Sequence, residues 1–99
     1  MHKYHLTAKA IEDLTSIWNY TFDTWSESQA DKYYGELVAF CQLLANEPEK
    51  GRSYEQLIPN LRGAKVNRHI IFYRTITENT IEVERVLHER MDLKTRLEL

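Results

Sequence analysis

Two histidines and an arginine in the last third of the chain are of the types that transfer protons beside a phosphate. They are His69, Arg85 and His88. Imidazole titrates near neutral pH and a guanidinium can clamp an anion, so the three are candidate catalytic residues if the chain is a nuclease. Each also has a structural interpretation. A half-buried histidine can hydrogen-bond to the backbone, and Arg85 can pair with a helix carboxylate such as Glu12 or Asp13.

A second group of basic residues lies in segment 62–74, which contains no acidic residue. The group comprises Arg62, Lys65, Arg68 and Arg74. A basic patch of this kind favours contact with an anionic surface, either nucleic acid or an acidic protein. The net charge of the whole chain is −2, which argues weakly against sequence-independent binding to nucleic acid as the main role.

These residues need a sheet to position them. Runs 69–76 and 80–88 are rich in β-branched and aromatic residues and are joined by a polar link at 77–79, which predicts an antiparallel hairpin. Strict alternation along the second run places Ile81, Val83 and Leu87 on one face together with Arg85. A buried guanidinium must find a partner there, because leaving it unpaired costs several kcal/mol, about 3–5.

The first half of the chain predicts two helices. Apolar residues recur at helical spacing over 8–25 after the N-cap Thr7, and a second helix opens at Ser26 and ends before Pro48. Their stripes assign Cys41 and the aromatic residues Trp18, Trp25, Tyr33 and Tyr34 to packing.

The predicted fold class is α+β. We expect an N-terminal strand, an antiparallel helical hairpin, a loop over 47–60, a three-stranded antiparallel sheet starting at 61–66, and a short C-terminal tail over 89–99. The helices should cover one face of the sheet and leave the other face uncovered.

Composition fits a single domain over 1–99. The chain has 99 residues, of which 42% are hydrophobic, and one cysteine, Cys41, so no disulfide can form within it. No charged leader precedes an apolar stretch and no apolar run approaches the roughly 20 residues of a membrane span. We therefore expect a cytoplasmic protein. No metal site or cofactor is expected, because His2 and His5 lack the further ligands that zinc needs.

Six segments carry a resemblance to a known family. They are 10–21, 25–30, 48–51, 61–62, 69–74 and 83–92. In their order and spacing they resemble the ParE branch of the RelE/ParE toxin superfamily. The resemblance implies a bacterial type II toxin that is not an enzyme, acts on DNA gyrase by stabilising its cleaved complex with DNA, and is held inactive by a ParD-like antitoxin in a hetero-oligomer.

The resemblance also suggests two binding surfaces. An antitoxin tail would contact the basic residues Arg62, Lys65, Arg68 and Arg74. The target would contact the last strand and the tail, at Arg85, His88, Arg90, Met91 and Arg96.

Two other functions remain open. RelE-like and YoeB-like relatives of this fold cut messenger RNA in the ribosome, but the RelE-like pattern has closely spaced lysines in the sheet and a tyrosine near the end. This chain has only Lys65 in the sheet region and no tyrosine after His88, which favours the gyrase branch. The third possibility is an inactive module that only binds its antitoxin.

Overall fold

The computed structural model describes residues 2–97; Met1 and the last two tail residues, Glu98 and Leu99, lie outside the described part of the predicted domain. The elements are β1 (Lys3–Leu6), α1 (Ala8–Thr24), α2 (Glu27–Asn46), a 3-10 turn (Pro48–Lys50), β2 (Arg52–Ser53), β3 (Arg62–Val66), β4 (His69–Thr77), β5 (Thr80–His88) and α3 (Leu93–Arg96). The predicted α+β class is confirmed.

The two long helices begin at the side chains that the sequence indicates. Thr7 Oγ1 accepts a hydrogen bond from the Ala10 N–H at 3.0 Å, and Ser26 Oγ accepts one from the Gln29 N–H at 3.1 Å. Each cap satisfies one of the backbone donors that a helix start leaves free. The short link at Ser26 folds α1 and α2 into the expected hairpin.

The sheet has five strands in the order β1-β5-β4-β3-β2, rather than the three expected. The antiparallel core β3-β4-β5 is as predicted. The predicted N-terminal strand, β1, joins this sheet parallel to β5, with Leu6 opposite Val83. The additional strand β2 contributes two residues, Arg52 and Ser53, which is too short for a periodic signal within the predicted loop.

The second face of the sheet is partly covered, so the expectation of an uncovered face was wrong. The helices bury one face in the main core, whose members include Leu14, Leu37, Cys41, Ile71, Tyr73, Val83 and Val86. The other face carries a smaller buried cluster of Leu61, Phe72 and Leu87, and Tyr54, Ile58, Leu93 and Leu97 pack against it. The loop before β3 and the C-terminal helix thus form a partial second layer.

A β-bulge changes the pattern of β5. Phe72 pairs with Arg85 but the next residue, Tyr73, pairs with Val83, which leaves Glu84 outside the register of described pairs with β4. An extra residue reverses the alternation beyond it. Leu87 therefore packs on the face opposite to Val83, and the prediction that both share one face was wrong.

The helical stripes overestimate the burial of the aromatic residues. Cys41 is fully buried as predicted, but Trp25 is 74% exposed and Tyr34 is 40% exposed. Trp18 stacks on Phe22 with ring centroids 5.2 Å apart, and its indole N–H donates to Asp31. Within residues 2–97, none of the helices is long and apolar enough to cross a membrane.

Candidate functional site

A groove of about 970 Å³ lies between the helical hairpin and the end of β5. Its lining includes Tyr20, Trp25, Tyr33, Arg68, His69, Arg85, His88, Met91 and Arg96. Four of the five residues that the sequence nominated for target contact are in that set. The fifth, Arg90, is exposed next to it and donates its backbone N–H to His88 Nδ1 at 3.1 Å.

Arg85 joins three parts of the chain at the floor of this groove. Its Nε and Nη2 donate to the two carboxylate oxygens of Asp13 on α1 at 2.8 and 2.9 Å, and its Nη1 donates to the Arg96 carbonyl at 2.6 Å. The hydrogen bond to Asp13 raises the pKa of Arg85 above its usual value. The sequence had proposed Asp13 as one of two helix partners, and this ion pair is confirmed.

The two nominated histidines lie side by side. Their rings pack edge to face with centroids 5.3 Å apart, and Tyr33 Oη lies 2.6 Å from His69 Nδ1. Burial, together with the charge of His88, lowers the pKa of His69 to about 4. His69 is therefore neutral at neutral pH, and its Nδ1 shares a hydrogen bond with the Tyr33 hydroxyl, whose direction is set by the tautomer of the ring.

Two of the three candidate catalytic residues, Arg85 and His69, are already engaged in hydrogen bonds within the protein. A nuclease needs a base, an acid and a cation free to meet the developing charge. Each of the three guanidinium nitrogens of Arg85 already donates a hydrogen bond, and one ring nitrogen of His69 is occupied by Tyr33. Folding thus brings His69 and His88 into contact and ties Arg85 to Asp13 of α1, and a catalytic role for the three residues stays a prediction.

The four basic residues assigned to antitoxin contact do not form the single acid-free patch that was expected. Lys65 Nζ and Arg68 Nη1 both contact Glu89, at 2.7 and 3.9 Å, and Arg74 pairs with Glu84 at 3.2 Å. Arg62 donates to the Gly51 carbonyl at 2.7 Å.

The basic patch is not free of acidic residues because folding brings Glu84 of β5 and Glu89, which follows β5, against β3 and β4. Register also separates the basic residues, because Arg62 lies opposite Tyr73 of the helix-covered face and Lys65 lies opposite Ile70 of the other face. Lys65 and Arg68 remain together at one end of the sheet. Their role toward an antitoxin stays a prediction.

Sequence reasoning missed the exposed aromatic rim of the groove. Tyr20 is 69% exposed and Trp25 is 74% exposed, and Met91, which is 39% exposed, lines the same groove. Trp25 follows the last residue of α1 and comes directly before the cap Ser26. The sequence did hold one signal of this exposure. Trp25 is a large aromatic residue at the end of α1, where α2 cannot cover it.

No group of three or more metal-binding side chains occurs among the described residues. The lining of the groove includes aromatic, sulfur and guanidinium groups. Such groups are enriched where proteins bind other proteins.

Two solved structures share the fold. One is the chromosomal ParDE toxin–antitoxin system from P. aeruginosa, with a TM-score of 0.75, 19% identity, and coverage of 89% of this chain and 96% of that chain. The other is the RelBE2 toxin–antitoxin complex from Mycobacterium tuberculosis, with a TM-score of 0.68, 20% identity, and coverage of 88% and 96%.

The sequence comparisons identify the family. Residues 4–93 match the model of the ParE toxin of the type II toxin–antitoxin system parDE. Toxin ParE1 of Mycobacterium tuberculosis is 38% identical over 95 residues, covering 96% of this chain and 97% of the relative. Toxin ParE1 of Caulobacter vibrioides is 34% identical over 97 residues, covering 98% and 99%, and toxin ParE of Escherichia coli is 36% identical over 97 residues, covering 98% and 94%. The chain belongs to the ParE toxin family of type II toxin–antitoxin systems, within the RelE/ParE superfamily.

Proposed function

We propose that this toxin inhibits DNA gyrase by binding it, without catalysing a reaction itself, and that a ParD-like antitoxin neutralises it. Gyrase is the target that the resemblance to the ParE branch implies. The observation that carries the choice against RNA cleavage is the state of Arg85, whose three side-chain nitrogens are all engaged by Asp13 and the Arg96 carbonyl.

The target surface is the groove with the C-terminal segment beside it. Trp25, Tyr20 and Met91 offer exposed apolar area, and Arg96 and Arg90 add exposed cations. A few aromatic and arginine side chains of this kind dominate the affinity of most protein interfaces. Binding through such a surface could hold gyrase in its cleaved state, because a ligand that prefers one state shifts the population toward it.

The antitoxin surface is the outer edge of β3. In the part of the chain that the structure describes, β2 pairs with β3 only at Arg62 and Gly63, so the backbone groups of 64–66 on that side have no strand partner. An extended antitoxin tail can add a strand to such an edge. Lys65 and Arg68 lie at this end and suit an acidic tail. The ParDE structure that shares the fold is itself a toxin–antitoxin system, which supports a ParD-like partner.

The proposal is tested with purified toxin and two targets in parallel. Gyrase with supercoiled DNA should yield linear DNA, and adding the antitoxin encoded beside the toxin should suppress it. Translating ribosomes should leave their messenger intact. Cleavage of the messenger would show that the protein is an RNase. No effect on either target would show that it is an inactive module that only binds its antitoxin.

A charge reversal on the target surface sharpens this test. Arg96→Glu should lower the yield of linear DNA about tenfold, because charged groups at an interface contribute a few kcal/mol when they are paired. Lys50→Glu is the matched control, since Lys50 is exposed in the 3-10 turn away from the groove. Equal loss in both variants would contradict the placement of the surface.

A further inference from the structure

The C-terminal helix α3 cannot hold its position alone. It comprises four residues, Leu93–Arg96, and isolated helices shorter than about 12 residues are unstable in water. Two attachments hold it. Leu93 and Leu97 pack against the cluster formed by Leu61, Phe72 and Leu87, and the Arg96 carbonyl accepts the hydrogen bond from Arg85 Nη1 at 2.6 Å.

The guanidinium that makes the second attachment is itself fixed. Asp13 receives two of its hydrogen bonds in a planar fork, a geometry that aligns arginine with a carboxylate. Asp13 Oδ2 also accepts the Val86 N–H at 3.0 Å. This backbone group lies beyond the point where β1 stops pairing with β5, at Val83, so the carboxylate takes the place of a missing strand.

A continuous set of hydrogen bonds therefore links three elements. It runs from the Val86 N–H of β5 to Asp13 of α1, from Asp13 to Arg85, and from Arg85 to the last carbonyl of α3. The side chains of Arg85 and Asp13 are 19% and 14% exposed. Because its exposure is limited and each of its three nitrogens already donates a hydrogen bond, Arg85 is a poor direct contact for an incoming macromolecule.

We propose that Arg85 is a positioning residue, which Asp13 orients and which fixes α3 so that Met91 and Arg96 are presented along the groove. The target-facing part of this inference rests on the proposed function; the attachment of α3 does not. Lysine cannot replace Arg85, because an ammonium is a single point charge and cannot make the fork to Asp13 while also reaching the Arg96 carbonyl.

The attachment is tested by amide hydrogen exchange measured by NMR in Arg85→Lys and Asp13→Asn. The Arg96 and Leu97 amides, which donate to the carbonyls of Asp92 and Leu93, should exchange about tenfold faster than in the wild type, since one charge-assisted hydrogen bond no longer opposes local opening. The amide oxygen introduced by Asp13→Asn can still accept the Val86 N–H, so this variant preserves the edge of β5.

Two comparisons keep the attachment test specific. Amides of Ile71 and Tyr73 in the buried core should stay strongly protected, because they exchange only through global unfolding, which costs far more free energy than the opening of α3. Arg52→Lys should leave the exchange of α3 unchanged, since Arg52 lies over the Tyr54 ring and not at Asp13. Unchanged exchange at Arg96 and Leu97 in both Arg85→Lys and Asp13→Asn would overturn the proposal, as would the loss of protection throughout the core.

The functional consequence is read from gyrase cleavage. Arg85→Lys should lower the yield of linear DNA about tenfold, whereas Arg52→Lys should match the wild type. Full activity with a loosened α3 would overturn the positioning role. If wild-type toxin does not act on gyrase but α3 loosens as expected, the target is wrong and the attachment stands; if wild-type toxin acts and α3 does not loosen, the attachment is wrong.

Discussion

At the residue scale, His69 shows how a side chain that suits catalysis can be used as structure. The sequence shows that this residue is a histidine and predicts that it lies at the start of a strand. The sequence does not show that Tyr33, 36 residues earlier in the chain, hydrogen-bonds to the ring through its hydroxyl. The contact between a helix and a strand depends on how the two pack, which no local pattern encodes.

The lowered pKa of His69 predicts a pH dependence of stability. Between pH 6.5 and about 4 the unfolded chain binds a proton at His69 that the folded chain excludes. The unfolding free energy should therefore fall as the pH drops through this range, and this group adds no further loss below pH 4. Urea unfolding at several pH values should give a shallower decline for His69→Gln, because glutamine can accept from Tyr33 but does not titrate. Equal slopes for both proteins would contradict the assignment.

Tyr73 supplies a second prediction. Its ring is fully buried, its hydroxyl donates to the Pro48 carbonyl at 2.6 Å, and it accepts the Gly51 N–H at 2.9 Å. A Cβ at Gly51 would overlap the Tyr73 hydroxyl. Gly51→Ala should therefore lower the unfolding free energy by about 2 kcal/mol, the usual cost of overpacking a core. A change within about 0.5 kcal/mol, the range of ordinary surface substitutions, would show that the turn moves aside.

At the element scale, the helices were the most predictable part of the fold. Thr7 and Ser26 cap them and Pro48 follows the second, and these residues act through contacts close in sequence. The bulge at Glu84 was not predictable, since an alternating run fits a regular strand equally well. It was the bulge that reversed the faces of Val86 and Leu87.

The middle of α2 offers a matched counterpart to the change at Gly51. Gly35 is exposed, and a Cβ built on it meets nothing within 4 Å. Gly35→Ala should raise the unfolding free energy by about 0.5–1 kcal/mol, because alanine loses less backbone entropy in a helix. Thermal unfolding followed by circular dichroism would show the increase in Tm. A lower Tm would mean that the glycine serves another purpose, such as close packing that alanine disturbs.

At the scale of the whole molecule, the sequence gives the number of charged residues but does not show which of them lie together on the folded surface. Segment 62–74 has no acidic residue, yet Glu84 and Glu89 lie within ion-pair distance of three of its four basic side chains in the folded protein. The aromatic rim of the groove was likewise hidden, because exposure depends on where the neighbouring helix ends. The sequence did nominate residues that lie close together, since four of the five proposed for target contact line one groove. Their contact with a target stays a prediction.

The distribution of charge predicts how the antitoxin binds. Arg68 is weakly held, with its Nη1 3.9 Å from Glu89, so it is available to an acidic partner. Arg68→Glu should weaken antitoxin binding about tenfold in titration calorimetry, and the difference should shrink at high salt as screening increases. Lys50→Glu should bind as the wild type does. An unchanged affinity for Arg68→Glu would exclude this end of β3 from the interface.

The first and last strands in chain order, β1 and β5, lie side by side in the sheet, which has a consequence for folding during synthesis. The Thr7 hydroxyl donates a hydrogen bond to the carbonyl of Glu84, 77 positions later, and β1 pairs with β5 from Lys3 to Leu6. During translation the opening strand has no partner until the final fifth of the chain has emerged. A chain that stops before β5 therefore cannot pair β1 or complete the sheet.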